Sequence, residues 1–232
     1  MNRGVVSILL PALNEEQTIG KVIDDIPRDA LVKRGYDVEV IVVDGHSNDR
    51  TIAIARKKGA KILTQTGLGK GNAIRHAFRQ VNGSYVFMMD ADDTYNPRSI
   101  LRMLPYLETG KFDVVLGSRF LGRIEDGAMP HVNYLGNKML TSTANLLFPN
   151  GYRMSDICTG LWGFNKRAVK GIDIHSKRFE MEVEMYAKCM KRGYKVGEVP
   201  TSYKKRKTFA KLKSIRDGIR IWLRLILEKI RR

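Results

Sequence analysis

Short apolar runs alternate with helix-length segments through the first half of the chain, and this alternation limits the fold more than any other feature. The runs are rich in Val, Ile and Leu, and each is followed by apolar residues at helical spacing. Strands are predicted over residues 5–10, 38–43, 61–64, 85–89 and 113–117. Strands that alternate with helices form a parallel sheet with helices on both faces. We therefore predict an α/β fold with a mostly parallel sheet, whose ligands bind at the carboxyl ends of the strands.

The remaining elements are predicted from weaker patterns. Residues 121–130 form a glycine-containing loop that is long enough to be a functional flap. The other predicted elements are helices over residues 14–26, 131–148 and 179–192, and strands over residues 157–164 and 194–199. We expect one domain over residues 1–210, followed by a tail helix over residues 211–232.

The composition excludes several classes of protein. Lys and Arg number 41 against 24 Asp and Glu, a formal charge of +17, which favours an anionic partner. No helix-turn-helix, zinc-finger or aromatic RNA-binding signature accompanies this charge, so we expect no nucleic-acid partner. The only cysteines are Cys158 and Cys189, which excludes a disulfide scaffold and a structural zinc site. Because no apolar run approaches the roughly 20 residues that span a bilayer, we expect a cytoplasmic protein, soluble or peripheral on a membrane.

Two aspartates follow the fourth predicted strand. Asp90 and Asp92 are separated by one residue, and alternate side chains of an extended chain point the same way. Two carboxylates at a strand end suit Mg²⁺ or Mn²⁺, which take further ligands from water and substrate phosphates. A solvated acidic turn is the alternative, but the position in a series of strands and helices favours the metal site.

Other strand ends carry candidate binding residues. Asp44 follows the second predicted strand and could accept a hydrogen bond from a base or a ribose. Glu15 follows the first strand, where it is also explained as compensation of a helix dipole. The glycine loop over residues 67–71 contains Lys70 and is a candidate phosphate cradle. It lacks the Walker pattern, because Gly71 follows the lysine.

These motifs, in their order and spacing, resemble those of the family 2 glycosyltransferases. The matching segments are residues 11–15, 41–51, 69–73, 90–92, 117–119, 156–160 and 198–200, together with Arg206. The resemblance covers about residues 5–212 and is greatest for the branch that includes dolichyl-phosphate mannose synthase and dolichyl-phosphate glucosyltransferases. It implies a GT-A fold, in which a Rossmann-like nucleotide-sugar half, about residues 1–119, joins an acceptor half, about residues 120–210.

The resemblance also implies roles for individual residues. The nucleotide-sugar site would consist of Pro11, Leu13, Glu15, Val43, Asp44, Lys70, Asp90, Ala91, Asp92, Arg119, Arg206 and Lys211. Mg²⁺ or Mn²⁺ would be held by Asp90 and Asp92, with Thr94 as a further ligand. Asp156 would lie beside the reacting sugar, and Arg119 would contact phosphate.

The implied reaction is an inverting transfer of a hexose from a nucleotide sugar to a polyprenyl (dolichyl) phosphate. Gly45, Thr94 and Glu180 occupy positions where relatives, chiefly the mannose synthases, carry other residues. These differences favour UDP-glucose or UDP-N-acetylglucosamine over GDP-mannose as the donor. The alternatives are transfer to a glycan or another non-lipid acceptor, and a sugar nucleotidyltransferase, which would release pyrophosphate.

The last two predicted helices carry charged and apolar stripes. Glu180, Glu184 and two lysines fall on one stripe, as expected for surface ion pairs, whereas Glu182 lies off this stripe and is a candidate catalytic residue. The tail has an apolar face formed by Leu212, Ile215, Ile219, Trp222, Leu223, Ile226 and Ile230. Its dense positive charge favours binding to an anionic membrane surface. Packing on its own domain, or on a second copy in a homo-oligomer, is the alternative.

Overall fold

A seven-stranded sheet forms the centre of the computed structural model, which describes residues 3–149, 151–208 and 214–231. The strands are β1 (Val5–Ala12), β2 (Asp37–Asp44), β3 (Lys61–Thr64), β4 (Tyr85–Met88), β5 (Val114–Ser118), β6 (Trp162–Asn165) and β7 (Val196–Pro200). Their order across the sheet is β3-β2-β1-β4-β6-β5-β7. All pairs are parallel except those of β6, which is antiparallel to both β4 and β5. The predicted mostly parallel α/β sheet is confirmed.

Helices cover both faces of the sheet. They are α1 (Ile19–Asp24), α2 (Arg28–Lys33), α3 (Thr51–Lys57), α4 (Lys70–Gln80), α5 (Ile100–Glu108), α6 (His131–Leu147), α7 (Lys166–Gly171), α8 (Met181–Lys191) and α9 (Ser214–Ile230). Alternate residues of β1 face the two sides of the sheet. Ile8 and Leu10 belong to the core cluster that includes residues of α1, α2, α3 and α5, whereas Leu9 belongs to the cluster that includes residues of α4, α6, α8 and α9. This alternation follows from the two-residue period of a strand.

Two predicted elements begin later than their patterns indicated. The first helix begins at Ile19 rather than near Asn14, because Asn14 has a φ of 51° and the Glu15 N–H donates to the Thr51 side chain. The strand predicted over residues 157–164 begins at Trp162. Before it, the Thr159 hydroxyl donates to the Gly117 carbonyl, which forms a turn in place of the first half of the strand.

The C-terminal helix α9 packs on its own domain through one face. Ile221 and Leu225 are buried against α6 and α8. Ile215, Ile219 and Trp222, from the face that the sequence identified as apolar, are exposed. Glu184 was predicted to form a surface ion pair, but its side chain is completely buried where α8 meets α9. Within the described ranges, no helix has the length and hydropathy needed to cross a membrane.

Candidate active site

A cavity of about 400 Å³ opens at the carboxyl ends of β1, β2 and β4. The three strands run parallel and in register, so the residues that follow them meet at one edge of the sheet. The cavity is lined by Pro11, Ala12, Leu13, Glu15, Val43, Gly45, Gln65, Gly69, Lys70, Ala73, Asp90, Ala91, Asp92, Arg178, Phe179 and Arg206. Sequence reasoning placed nine of these residues at a candidate site, and the structure brings them together around one space.

The two aspartates after β4 each contact one cationic side chain. Lys70 Nζ lies 2.6 Å from Asp90 Oδ1, and Arg206 Nη1 lies 3.2 Å from Asp92 Oδ2. The Thr94 hydroxyl donates to Asp92 Oδ1 at 2.6 Å. Burial, and then the negative charge of Asp90, raises the pKa of Asp92. The cavity therefore holds two close carboxylates with a cation on either side.

Arg206 connects the loop after β7 to the loop after β1. Its Nη2 donates to Glu15 Oε1 at 2.9 Å, while its Nη1 contacts Asp92. The Thr208 hydroxyl donates to the other oxygen of Glu15 at 3.0 Å. Because Glu15 is buried, this contact fixes the guanidinium at the edge of the cavity. A fork of N–H donors held in this way suits a phosphate.

Lys70 lies between Asp90 and Glu182. Its ammonium is 2.9 Å from Glu182 Oε1. Burial lowers the pKa of Lys70, but the nearby Asp90 and Glu182 reverse this effect and raise it above its ordinary value. Burial raises the pKa of Glu182 although Lys70 opposes it. Glu182 Oε2 is buried and has no hydrogen-bond partner within the described residues, so it is placed to accept a hydrogen bond from a ligand.

A second cavity of about 260 Å³ continues from the first. The two share Lys70, Asp90, Asp92, Phe179 and Arg206. The second is also lined by residues of the predicted flap, of α6 and of α9, among them Met129, Asn133, Asn137 and Ile221. The aspartates therefore stand at the junction of two spaces, which is the arrangement that a transfer between two substrates requires.

Arg119 lines the second cavity and is held from behind by Asp156. Arg119 Nε and Nη2 each donate to an Asp156 oxygen at 2.7 Å, and the Arg119 main-chain N–H donates at 3.0 Å. Asp156 is completely buried. The Arg119 guanidinium also lies over the ring of Tyr203, 5.3 Å from its centroid. Burial lowers the pKa of Arg119, but Asp156 raises it well above its ordinary value.

A family model described as glycosyl transferase family 2 matches residues 7–172, which is more than half of the chain. The chain belongs to glycosyl transferase family 2. The resemblance seen in the sequence is thereby confirmed, and the protein is an enzyme of the glycosyltransferase class.

Individual family members support the same assignment. Glycosyltransferase AglJ of Haloferax volcanii is 36% identical over 223 residues, which cover 95% of this chain and 70% of that protein. A dolichyl-phosphate hexose transferase of the same organism is 32% identical, with 93% of this chain and 90% of that protein covered. Among solved structures, one match is glucosyl-3-phosphoglycerate synthase of Mycobacterium tuberculosis, crystallised with Mn²⁺, UDP and phosphoglyceric acid. It superposes with a TM-score of 0.76 at 21% identity, and the match covers 98% of this chain and 79% of that one. At this identity the superposition establishes the fold alone.

Several residues assigned from the glycosyltransferase resemblance do not line either cavity. The Asp44 carboxylate accepts the N–H groups of His46 and Ser47 in the turn after β2. Thr94 is completely buried and contacts Asp92, and Asp156 contacts Arg119. Lys211 lies outside the described residues. The roles predicted for these residues as direct ligands remain predictions. The contacts of Asp44, Thr94 and Asp156 are those of residues that support their neighbours.

The donor set fits a divalent metal in a glycosyltransferase. No group of three or more His, Cys, Asp and Glu side chains that could hold a metal occurs among the described residues. Asp90 and Asp92 supply two carboxylates at the cavity wall. Mg²⁺ and Mn²⁺ sites that use one or two carboxylates and complete their coordination with substrate phosphates and water have this composition.

Sequence reasoning missed aromatic residues that shape the site. Phe179 lines both cavities. Tyr95 lines the second, where its hydroxyl accepts the Gly160 N–H at 2.6 Å. Tyr203 packs edge to face on Tyr95, with ring centroids 5.2 Å apart. Of these three residues, only Tyr95 carried a local signal, because it follows Asp92 by three residues in the sequence.

Proposed function

We propose that this glycosyltransferase moves a hexose from a nucleotide sugar to a polyprenyl (dolichyl) phosphate with inversion at the anomeric carbon. UDP-glucose and UDP-N-acetylglucosamine are the favoured donors, and GDP-mannose is the alternative. The observation that carries the proposal is the junction of the two cavities at Lys70, Asp90, Asp92 and Arg206. At this junction, two carboxylates that could hold a metal and two cations that could bind phosphate lie between the first cavity and the second cavity, which Arg119 lines.

The first cavity is the proposed donor site. Asp90 and Asp92 would hold Mg²⁺ or Mn²⁺, which neutralises charge on the diphosphate leaving group. Lys70 and Arg206 lie beside these carboxylates and are placed to bind the same diphosphate. Glu182 lines the second cavity beside Lys70. It has a buried oxygen without a described partner, and we propose that it accepts a hydrogen bond from a sugar hydroxyl where the two cavities meet. Fixed charges of this kind stabilise the charge that develops as the nucleoside diphosphate departs.

The second cavity is the proposed acceptor site. A phosphate monoester has a second pKa of about 6 and is largely dianionic at neutral pH, so it attacks without a general base. Arg119 supplies a cation in this cavity, and Asp156 holds that cation by two hydrogen bonds. Asp156 then acts by orienting Arg119. Dolichyl-phosphate hexose transferase, which is 32% identical, carries an acceptor of this class in its name.

An anionic membrane surface is the proposed location of the acceptor. Large apolar residues of α6 and α9 are exposed and would form the contact surface for lipid. They include Val132, Leu135, Met139, Leu146, Ile215, Ile219, Trp222, Leu223, Leu227 and Ile230. Exposed Arg216 on α9 and exposed Arg231 directly after it add positive charge. Apolar residues beside basic ones are typical of helices that lie on an anionic bilayer. The second cavity lies between these two helices and the Asp-x-Asp turn, so a bound lipid phosphate would reach the site from this surface.

A donor and acceptor screen tests the proposal. Purified full-length protein is incubated with Mn²⁺ or Mg²⁺, dolichyl phosphate in vesicles, and each radiolabelled donor in turn: UDP-glucose, UDP-N-acetylglucosamine or GDP-mannose. We expect label in the lipid fraction with one donor, equimolar release of the nucleoside diphosphate, and no transfer in EDTA. Consumption of added pyrophosphate, with formation of the nucleoside triphosphate and the sugar 1-phosphate, identifies a nucleotidyltransferase instead. Transfer to a water-soluble phosphate or glycan, with none to the lipid, contradicts the proposed acceptor.

A further inference from the structure

The C-terminal helix α9 is joined to α8 by a buried ion pair. Arg224 Nη2 lies 2.5 Å from Oε1 of Glu184 on α8, and 2.8 Å from Oε1 of Glu228 on α9 itself. Both carboxylates are buried, and the Arg224 side chain is 14% exposed. Lys188 of α8 also contacts Glu184, at 2.7 Å. Since a buried carboxylate needs cations and hydrogen-bond donors, Arg224 is part of what holds Glu184 in place.

Glu184 also holds the segment that precedes α8. Its Oε1 accepts the His175 N–H at 2.8 Å, and its Oε2 accepts the Ser176 N–H at 2.7 Å. Burial alone would raise the pKa of Glu184, but hydrogen bonds from Lys188 and from these two N–H groups lower it to about 2. The carboxylate is therefore ionised at neutral pH. One side chain thus connects α9 with residues 175–176.

Residues 176–177 in turn pack directly on the end of the glycine loop, where it forms the first turn of α4. The Lys177 carbonyl accepts the Gly71 N–H at 3.0 Å and the Asn72 N–H at 3.3 Å. A Cβ on Gly71 would lie 2.2 Å from the Ser176 carbonyl oxygen, so the two backbones are in closest contact. Lys70, next to Gly71, reaches Asp90 in the donor cavity. A shift of residues 175–177 would therefore move the lysine that faces the diphosphate.

We propose that Arg224 is a positioning residue for the donor site. Through Glu184 and residues 175–177 it holds the glycine loop, and with it Lys70, in the place where the lysine meets the nucleoside diphosphate. The inference rests on the proposed function, because it takes the cavity at Asp90 as the nucleotide-sugar site. The tail helix is then part of the frame of the donor site, in addition to any contact that its exposed face makes with lipid.

The affinity for UDP in lipid-free buffer tests this role. Full-length protein is titrated with UDP in the presence of Mn²⁺, and Arg224→Ala and Glu184→Gln are each expected to raise the Kd by about 3- to 30-fold. Glu184→Gln is nearly isosteric, but its amide group turns a donor toward a backbone N–H. In both variants, amide hydrogen exchange at Gly71 and Asn72 should accelerate, because these N–H groups depend on the Lys177 carbonyl.

Two further variants separate positioning from general loss of charge or stability. Arg220→Ala removes the same charge from the same helix, but this side chain is 42% exposed and contacts Asp217 on α9. It should bind UDP as the parent does. Leu225→Ala weakens the packing of α9 through a completely buried apolar residue and leaves the Glu184 contacts intact. The thermal stability of Leu225→Ala is compared with that of Arg224→Ala. We expect Leu225→Ala to bind UDP more tightly than Arg224→Ala and to show slower amide exchange at Gly71.

The outcomes distinguish the inference from the function on which it rests. If the parent binds UDP, and Arg224→Ala and Glu184→Gln bind it equally well with unchanged exchange at Gly71, the inference is wrong. It is also wrong if Leu225→Ala, at equal loss of stability, loses as much affinity as Arg224→Ala. A parent protein that binds no nucleotide with Mn²⁺ overturns the proposed function, and the positioning role with it.

Discussion

The buried pair of Arg119 and Asp156 predicts a large loss of stability when the carboxylate is removed. Asp156 accepts three hydrogen bonds from Arg119, two of them from the guanidinium at 2.7 Å. Removing one partner of a buried ion pair costs about 3–5 kcal/mol, because the other charge stays buried. For a chain of this size, about 1 kcal/mol shifts the melting temperature by about 2–4 °C. Asp156→Ala should therefore lower the Tm by about 6–20 °C.

The same pair separates two roles for Asp156. If it acts by orienting Arg119, the double variant Asp156→Ala with Arg119→Met should regain much of the lost stability, because apolar residues often replace a buried pair without penalty. This variant should still transfer no sugar, since the cation in the acceptor cavity is absent. Asp156→Asn, which keeps one acceptor oxygen, should lose about 1.5–3 kcal/mol, the value of a hydrogen bond to a charged group.

Urea unfolding followed by circular dichroism measures these free energies, and release of the nucleoside diphosphate measures transfer. Asp126→Ala is the control, because Asp126 is exposed and surface substitutions change stability by about 0.5 kcal/mol or less. A loss below about 1 kcal/mol in Asp156→Ala would refute the buried pair. Normal transfer by the double variant would remove both residues from the reaction.

Three further perturbations test the metal site, the Glu184 contacts and the membrane surface. Asp92→Ala should abolish transfer and Mn²⁺-dependent UDP binding with an unchanged circular dichroism spectrum, and full activity in this variant or in EDTA would exclude the proposed metal role. Because the pKa of Glu184 is lowered to about 2 from 4.5, its stabilisation is complete above pH 4.5 and is lost as the pH falls toward 2. The parent should therefore lose about 2–3 kcal/mol more unfolding free energy between pH 6 and pH 2.5 than Glu184→Gln does. Urea midpoints that are the same at both pH values, in the parent and in the variant, would contradict this. Ile219→Glu with Trp222→Glu should prevent cosedimentation with anionic liposomes and leave UDP binding unchanged, because both side chains are exposed and each would contribute about 1.5–3 kcal/mol on burial in lipid. Sedimentation equal to that of the parent would place the lipid contact elsewhere.

Strands β1 to β5 were predictable because each forms a short local run of mostly apolar residues. The start of β6 was not predictable, because this strand enters antiparallel between β4 and β5, and its partners are distant in sequence. The turn before it depends on a bond from Thr159 to the Gly117 carbonyl. Such a bond exists only after the sheet has formed, so no local pattern encodes the boundary.

The residues of the candidate site also divide into those that the sequence identified and those that depend on the fold. Asp90 and Asp92 were identifiable because they lie next to each other at a strand end, and Arg206 was identifiable only through the family resemblance. Its position opposite Glu15, 191 residues away in the chain, is a property of the folded sheet. Asp44 lies at an equally suitable strand end, yet its carboxylate is used by the N–H groups of its own turn. Proximity to a strand end selects candidates, and local hydrogen bonds decide which of them face the cavity.

Glu184 shows why helical spacing alone misplaced a charged residue. Glu184 and Lys188 are four residues apart, a spacing that stabilises an exposed helix and that also occurs at a helix contact. Arg224 and Glu228 repeat the spacing on α9, and the two pairs meet where α8 packs on α9. Either pair alone indicates a solvated helix face. Two such pairs on different helices, each with apolar residues beside it, indicate a buried contact between the helices. The apolar residues that accompany Arg224 are Ile221 and Leu225, which are buried beside it. The face of α9 that carries the arginine therefore packs on its own domain, and the exposed face that carries Trp222 is the one proposed to contact lipid.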